Sequence, residues 1–287
     1  MEFLVIVAAA LLFYWRGAMP EIQRDAWYDD WVARLSSVAA IADLPAGPLL
    51  VSLLLPVLAV ALALDWLGGY GFGLPAFLVS LWILIYSLGR GDLRLQLGAL
   101  NEDLQRNDIQ AAFHDAAVFN TAHRDSLADD WSGLRGELLR GMSYRYLESY
   151  MAVIFWFAVA GAPGALLYRL SLLYRDRSVD SPETADLADQ WLWLLEWLPV
   201  RLLGLTLGLV GDFGGCMRRW RASLLAGGVP AAELLGDYAE GALGSFASAD
   251  EEVTPEVGMA ELAALARLFA RAMVCWLSVI ALVVIMR

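Results

Sequence analysis

Six charged residues, Arg145, Glu148, Arg169, Arg175, Glu196 and Arg201, stand inside or at the ends of long apolar stretches of this 287-residue chain. A charge at membrane depth is costly and is usually paired or turned to a polar cavity, so these residues have the most capacity for chemistry. The four arginines offer planar guanidinium forks that match carboxylate or phosphate oxygens, which makes the set a candidate binding site for an anionic molecule. The competing reading is structural, with the arginines snorkelling to the interface and pairing with Glu148 and Glu196. Arg145 and Glu148, three residues apart on a helix, are natural partners. No residue is assigned as catalytic and none as a metal ligand. His114 and His123 flank a helix end at Asn120-Thr121 with Asp115 and Asp125 nearby, but their spacing matches no metal motif. The only cysteines, Cys216 and Cys275, are far apart in sequence, so neither a disulfide framework nor a thiolate site is suggested. All 20 basic residues are arginine. The absence of lysine excludes a Walker-A lysine and any Schiff-base or pyridoxal chemistry.

The elements that position these charges are membrane helices. The chain is 59% hydrophobic and returns repeatedly to long apolar runs, the signature of a multi-pass helical membrane protein. Its formal net charge of -12 opposes nucleic-acid binding, which needs dense cationic surface, and makes anionic lipid headgroups poor partners for its acidic loops. Tyr150 to Tyr168 carries no charge and is long enough to cross the hydrocarbon. Gly161-Ala-Pro163-Gly164 interrupts its second half, so a re-entrant hairpin competes with a complete span.

Taken in order, residues 1–45 hold a short apolar helix and an amphipathic interfacial one, with Trp27, Trp31, Leu35 and Val38 on one face. Arg16 follows the first apolar run instead of preceding it, unlike a cleavable signal peptide. Residues 46–88 read as a transmembrane hairpin turning at Asp65-Trp-Leu-Gly-Gly-Tyr-Gly-Phe-Gly, where tryptophan and tyrosine suit the interface. Asp65 is read as a turn residue in preference to an ion-coupling group. Residues 89–145 form a helical polar unit. Leu93, Leu97, Leu100 and Leu104 mark one helix, Ile109, Ala112, Phe113 and Ala116 a second, and Trp131, Leu134, Leu138 and Met142 a third that runs into the membrane stretch. Residues 146–174 are the broken span. Residues 175–211 join a polar connection, with a turn at Asp180-Ser181-Pro182, to a charged membrane or interfacial helix. Residues 212–265 are a second polar segment, and 266–287 the final span. The cluster Asp250-Glu251-Glu252 is read as a solvated loop capping the next helix, since hard-cation sites need oxygens converging from a defined loop.

Arginine-rich segments occur too often for any simple alternation of sides to satisfy the positive-inside rule. The segment from Arg90 to Arg145 carries the most and is placed in the cytoplasm. If the segments near Arg175 and Arg218 are cytoplasmic too, the Pro163 stretch must be re-entrant.

The blocks AVIFWFAVAGAPGALLYR and EWLPVRLLG resemble paired signatures of the CobD/CbiB family, membrane enzymes of cobalamin side-chain assembly, and more closely its AmpE branch. The pattern around Gln105-Arg-Asn-Asp108 is also similar to AmpE. The biosynthetic enzymes carry Ala-Glu-Asn and Asp-Gly before the first block, where this chain has Ser143-Tyr144-Arg145 and Glu148-Ser149. Their Asn-Thr-Ala-Asp after it is matched here by Leu172-Leu-Tyr-Arg175. Of the polar set expected for ATP- and magnesium-dependent ligation, only the Glu148 carboxylate remains, and phosphoryl transfer needs metal-holding oxygens and phosphate-binding groups. The resemblance therefore implies a non-enzymatic regulator in the bacterial inner membrane, acting in signalling for β-lactamase induction and cell-wall stress or recycling. Its implied partners are the bilayer and a protein or cell-wall-derived ligand, with no nucleic acid and no cofactor. The alternative is a CobD/CbiB-like protein or enzyme that keeps a pocket for an anionic ligand or a nucleotide with magnesium.

Overall fold

The computed structural model describes residues 2–16, 19, 22–37, 46–89, 98, 102, 131–180, 182–224, 227–244 and 255–286. Its regular elements are all helical, with no strand among the described residues, so the protein is all-α. In chain order they are α1 (Glu2–Arg16), α2 (Ala26–Ser36), α3 (Gly47–Gly68), a 3-10 turn (Gly71–Gly73), α4 (Leu74–Ser87), α5 (Trp131–Tyr146), a π-helical turn (Leu147–Met151), α6 (Ala152–Arg177), a 3-10 turn (Ser178–Asp180), α7 (Pro182–Val210), α8 (Phe213–Ser223), α9 (Ala231–Leu243) and α10 (Pro255–Ile285). Prolines open four of them: Pro48 in α3, Pro75 in α4, Pro182 in α7 and Pro255 in α10. A missing N–H is harmless in a first helical turn, where that donor has no intrahelical acceptor.

Among the described residues, four helical stretches are long and apolar enough to cross a membrane: Gly47–Gly68, Arg135–Arg177, Pro182–Val210 and Ala260–Val283. The protein is accordingly a multi-pass membrane protein. The second arm of the expected hairpin, α4, has only 14 residues, which at 1.5 Å per residue falls short of the ~30 Å hydrocarbon core. Asp65 lies exposed in the last turn of α3, not in the loop after it. The helices expected around Leu93 and Ile109, both histidines and the Asp250-Glu251-Glu252 cluster fall outside the described residues.

The chain divides into two units, residues 1–91 with 152–195 and residues 92–151 with 196–287. In the first, α1, α3 and α4 pack with α6 around Val5, Leu53, Leu84, Phe157 and Tyr168. Pro56 inside α3 removes the donor that would reach the Ser52 carbonyl, and the Trp31 indole N–H supplies one instead at 3.3 Å. A proline four residues beyond Ser52 thus creates the acceptor that docks α2. Leu35 of the expected face of α2 is buried and Trp31 docks on α3, but Tyr28, not Trp27, completes the buried side. Trp27 is 43% exposed. Within α6, Gly161 has φ +66° and ψ -158°, outside helical geometry, so the Gly-Ala-Pro-Gly break is a true kink. Gly164 then passes so close to Trp156 that a Cβ would stand 2.4 Å from its carbonyl oxygen.

In the second unit α9 packs against α5, α8 and α10. The α8–α9 contact is backbone on backbone, because a Cβ on Gly215 would meet the Gly241 carbonyl oxygen at 2.5 Å and one on Gly241 would meet Cys216 Cα at 2.9 Å. Small residues allow this approach, because no Cβ stands between the two backbones. Asp212 caps α8, its carboxylate accepting from Gly214 N at 3.0 Å and Gly215 N at 3.3 Å. Thr206 of α7 accepts from the Trp276 indole of α10 at 2.9 Å.

Candidate functional site

Of the six charged residues singled out from sequence, Arg145, Glu148, Glu196 and Arg201 belong to the second unit and Arg169 and Arg175 to the first. Each group has its own partners.

The second unit's group is built on the π-helical turn Leu147–Met151, which buries Leu147, Glu148, Ser149 and Met151. A π turn inserts a residue into the helical repeat and so rotates the faces that follow, a distortion frequent at functional sites. Here it carries a carboxylate into the interior: Glu148 is 1% exposed. Arg145 Nη1 donates to Glu148 Oε1 at 2.5 Å, the three-residue pairing expected from sequence, though with a buried acid in place of a surface one. One residue earlier, Tyr144 donates its phenol proton to Glu196 Oε1 at 2.9 Å, and Glu196 too is buried. Glu148 and Glu196 are thus two buried glutamates, one bonded to a guanidinium and one to a phenol. Buried charge of this kind persists only with such partners. Ser143, buried beside them in sequence, has a hydroxyl with no hydrogen-bond partner among the described residues.

Arg201, also buried, donates Nε to the Leu224 carbonyl at 3.0 Å and Nη1 to the Trp197 carbonyl at 3.1 Å. Its guanidinium lies 4.4 Å from the Trp197 ring centre, a cation–π arrangement. It closes off the carbonyl left at Leu224 after α8 and so performs structural work. Beyond it, Cys216 is buried with its thiol on the Gly204 carbonyl. Burial pushes that thiol up to about 11, which makes it a poor nucleophile. Glu261, in the second polar segment, is 1% exposed and holds Arg135 through both oxygens.

In the first unit Arg169 is buried. Its Nη2 donates to Asp25 Oδ2 at 3.0 Å, and its guanidinium stands 5.6 Å from the centre of the Tyr86 ring. Tyr86 donates to Asp25 Oδ1 at 2.8 Å and accepts from the Trp27 indole at 3.2 Å. Nε and Nη1 of Arg169 have no hydrogen-bond partner among the described residues. The carboxylate that Arg169 meets is thus Asp25, not one of the two glutamates considered from sequence. Arg175 donates to Asp176 at 3.3 Å. Its neighbour Arg177 pairs with Asp29 and covers the Tyr28 ring at 4.7 Å. Burial pushes the Tyr28 phenol up to about 12, and its hydroxyl reaches Ser52 at 3.4 Å. Sequence reading missed Asp25, Tyr86 and Tyr144. Asp25 and Arg169 are separated by 144 positions, and no local spacing encodes such a pair.

No group of three or more His, Cys, Asp or Glu residues suited to a metal ion converges among the described residues. Glu148 and Glu196 are engaged by Arg145 and Tyr144, and Arg201 by two backbone carbonyls.

Comparison with known proteins carries the description further. The cobalamin biosynthesis protein CobD of Stutzerimonas stutzeri (strain A1501) is 29% identical over 171 residues, 58% of this chain and 54% of that protein. The protein AmpE of Shigella flexneri is 28% identical over 170 residues, 57% of this chain and 60% of its own length. A second CobD, from Chromobacterium violaceum, is 28% identical over 195 residues, 67% of this chain and 57% of that protein. The matched region thus spans little more than half the length of these curated relatives. No solved structure matches. The family described as "Regulatory signalling modulator protein AmpE" matches residues 4–286, nearly the whole chain, and the chain belongs to the AmpE family.

Proposed function

We propose that this chain is a non-enzymatic regulator of the bacterial inner membrane that acts in signalling for β-lactamase induction and cell-wall stress or recycling. The observation that carries the reading is the extent of the family match, residues 4–286, which takes in both units and all four membrane-length helical stretches. The helical path from Trp131 through the π turn into the first half of α6, ahead of the kink at Gly161, supports it, since such a path joins a polar segment mechanically to the membrane. The partner in this reading is a protein or a cell-wall-derived ligand at the membrane. The test is deletion of the gene in its host and measurement of β-lactamase activity with and without a sublethal β-lactam. An altered induction ratio, restored by the wild-type gene, is expected, and an unchanged ratio would sink the reading.

A second reading rests on the buried glutamates of the π-turn network. In it the protein is a CobD/CbiB-like ligand binder, or an enzyme, with Arg145, Glu148, Glu196 and Arg201 holding an anionic ligand or a nucleotide with magnesium. Glu148→Ala, Glu196→Ala and Arg201→Ala separate the two readings. Variants that fold and keep normal induction control exclude the pocket as the working part, whereas loss of control with an intact fold favours it.

A further inference from the structure

The four charges at the start of and along α2 divide into two pairs. Asp25 and Asp29 face α6, where they meet Arg169 and Arg177. Asp30 and Arg34, exposed and one helical turn apart, make no ion pair among the described residues. These two line a groove of about 360 Å³ together with Trp27, Trp31, Leu55 and Pro56. That volume lies in the range of small-molecule sites, about 300–1,000 Å³.

Its walls are chemically divided. Trp27 and Trp31 have spent their indole N–H groups inside the protein, on Tyr86 and on the Ser52 carbonyl, so what they offer the groove is ring surface. The floor, Leu55 and Pro56, belongs to membrane-length α3. Leu55 continues along that helix into Leu58 and Leu62, which are 50%, 60% and 71% exposed in turn. An aromatic-rimmed groove with one cation and one anion at its polar end, opening onto an apolar stripe, is complementary to an amphiphile with a zwitterionic head.

We propose that this groove binds one phospholipid with a primary-amine zwitterionic head, its phosphate on Arg34, its ammonium between Asp30 and the tryptophan rings, and an acyl chain along Leu55, Leu58 and Leu62. Arginine suits phosphate, and an ammonium is held by aromatic faces and a carboxylate. Asp30 and Arg34 balance, so the groove carries no net charge and gives a zwitterionic head both of its partners. A primary ammonium donates hydrogen bonds to Asp30 that a quaternary one cannot, which sets the order of preference among lipids.

The test is native mass spectrometry of the full-length detergent-purified protein with equal amounts of phosphatidylethanolamine, phosphatidylcholine and phosphatidylglycerol of matched chains. Phosphatidylethanolamine is expected to be retained several-fold over the other two. Asp30→Asn should bring its retention down to the phosphatidylcholine level, and Arg34→Gln should lower both. Soluble phosphoethanolamine at the same concentration should not compete, because the chain contacts are part of the site. Preferential retention of phosphatidylglycerol, or retention unchanged in both variants, overturns the proposal. So does full competition by the soluble head group. As a measurement on the unaltered protein, brominated-chain phosphatidylethanolamine should quench tryptophan fluorescence more than brominated phosphatidylglycerol, and equal quenching counts against the site.

Discussion

Arg169 shows how a single side chain in this protein is held. Its guanidinium is buried on Asp25 and Tyr86 with two nitrogens unmatched, so removing its partner leaves a poorly compensated interior charge. Asp25→Ala is therefore expected to destabilise the protein by about 1–3 kcal/mol. This is less than the loss of a fully buried pair, since the Asp25 side chain retains 27% exposure. Thermal unfolding in detergent measures it, and no shift in midpoint would show the pair to be idle. Cys216 gives a pH-dependent counterpart. Its folded thiol titrates near 11 against an ordinary value of 9.0, so the proton is held more tightly in the folded state. The associated stability is complete below about pH 9 and is lost as the pH rises towards 11. Maleimide should leave Cys216 unmodified at pH 7.5 in folded protein and label it after denaturation. Rapid labelling of the folded protein would contradict its burial.

Among the elements, α3 and α6 owe their shape to single backbone features that can be tested. If Trp31 docks on a carbonyl freed by Pro56, then Trp31→Phe should cost about 0.5–1.5 kcal/mol in the native protein and less in a Pro56→Ala background, where the helix reclaims the acceptor. Equal losses in both backgrounds would refute the coupling. In α6, Gly164→Ala places a methyl 2.4 Å from the Trp156 carbonyl oxygen, a clash with backbone that cannot rotate away. Overpacking of this kind typically costs about 1–3 kcal/mol, read as a lower unfolding temperature. Gly161→Ala adds conformational strain at φ +66° and ψ -158°, a region essentially reserved to glycine, of order 1–3 kcal/mol. The two glycines of the break thus serve different ends, one permitting the kink and the other the close approach that follows it.

For the molecule as a whole, four membrane-length helical stretches predict that the protein stays in the pellet when membranes are washed with alkaline carbonate, and release into the supernatant would contradict the multi-pass reading. That much is determined by sequence alone. A stretch such as Tyr150 to Tyr168 needs no tertiary partner to favour hydrocarbon, and prolines and glycines mark helix starts and breaks through local sterics alone. The Arg145–Glu148 pair was legible for the same reason, since three-residue spacing on a helix is local. The pairing of Arg169 with Asp25 and of Tyr144 with Glu196 was not, and neither was the burial of Glu148 and Glu261. A one-residue π insertion decides which face Glu148 occupies, and apolar periodicity cannot register it. The apolar face of α2 was legible through Trp31 and Leu35, but Tyr28 takes the buried place expected of Trp27, because the free Ser52 carbonyl and the α6 arginines fix the helix rotation. Sequence determined the solvent of each segment through its own composition. Only the tertiary structure decided which charges meet, because an ion pair inside a membrane protein depends on helix rotation and on neighbours more than a hundred residues away.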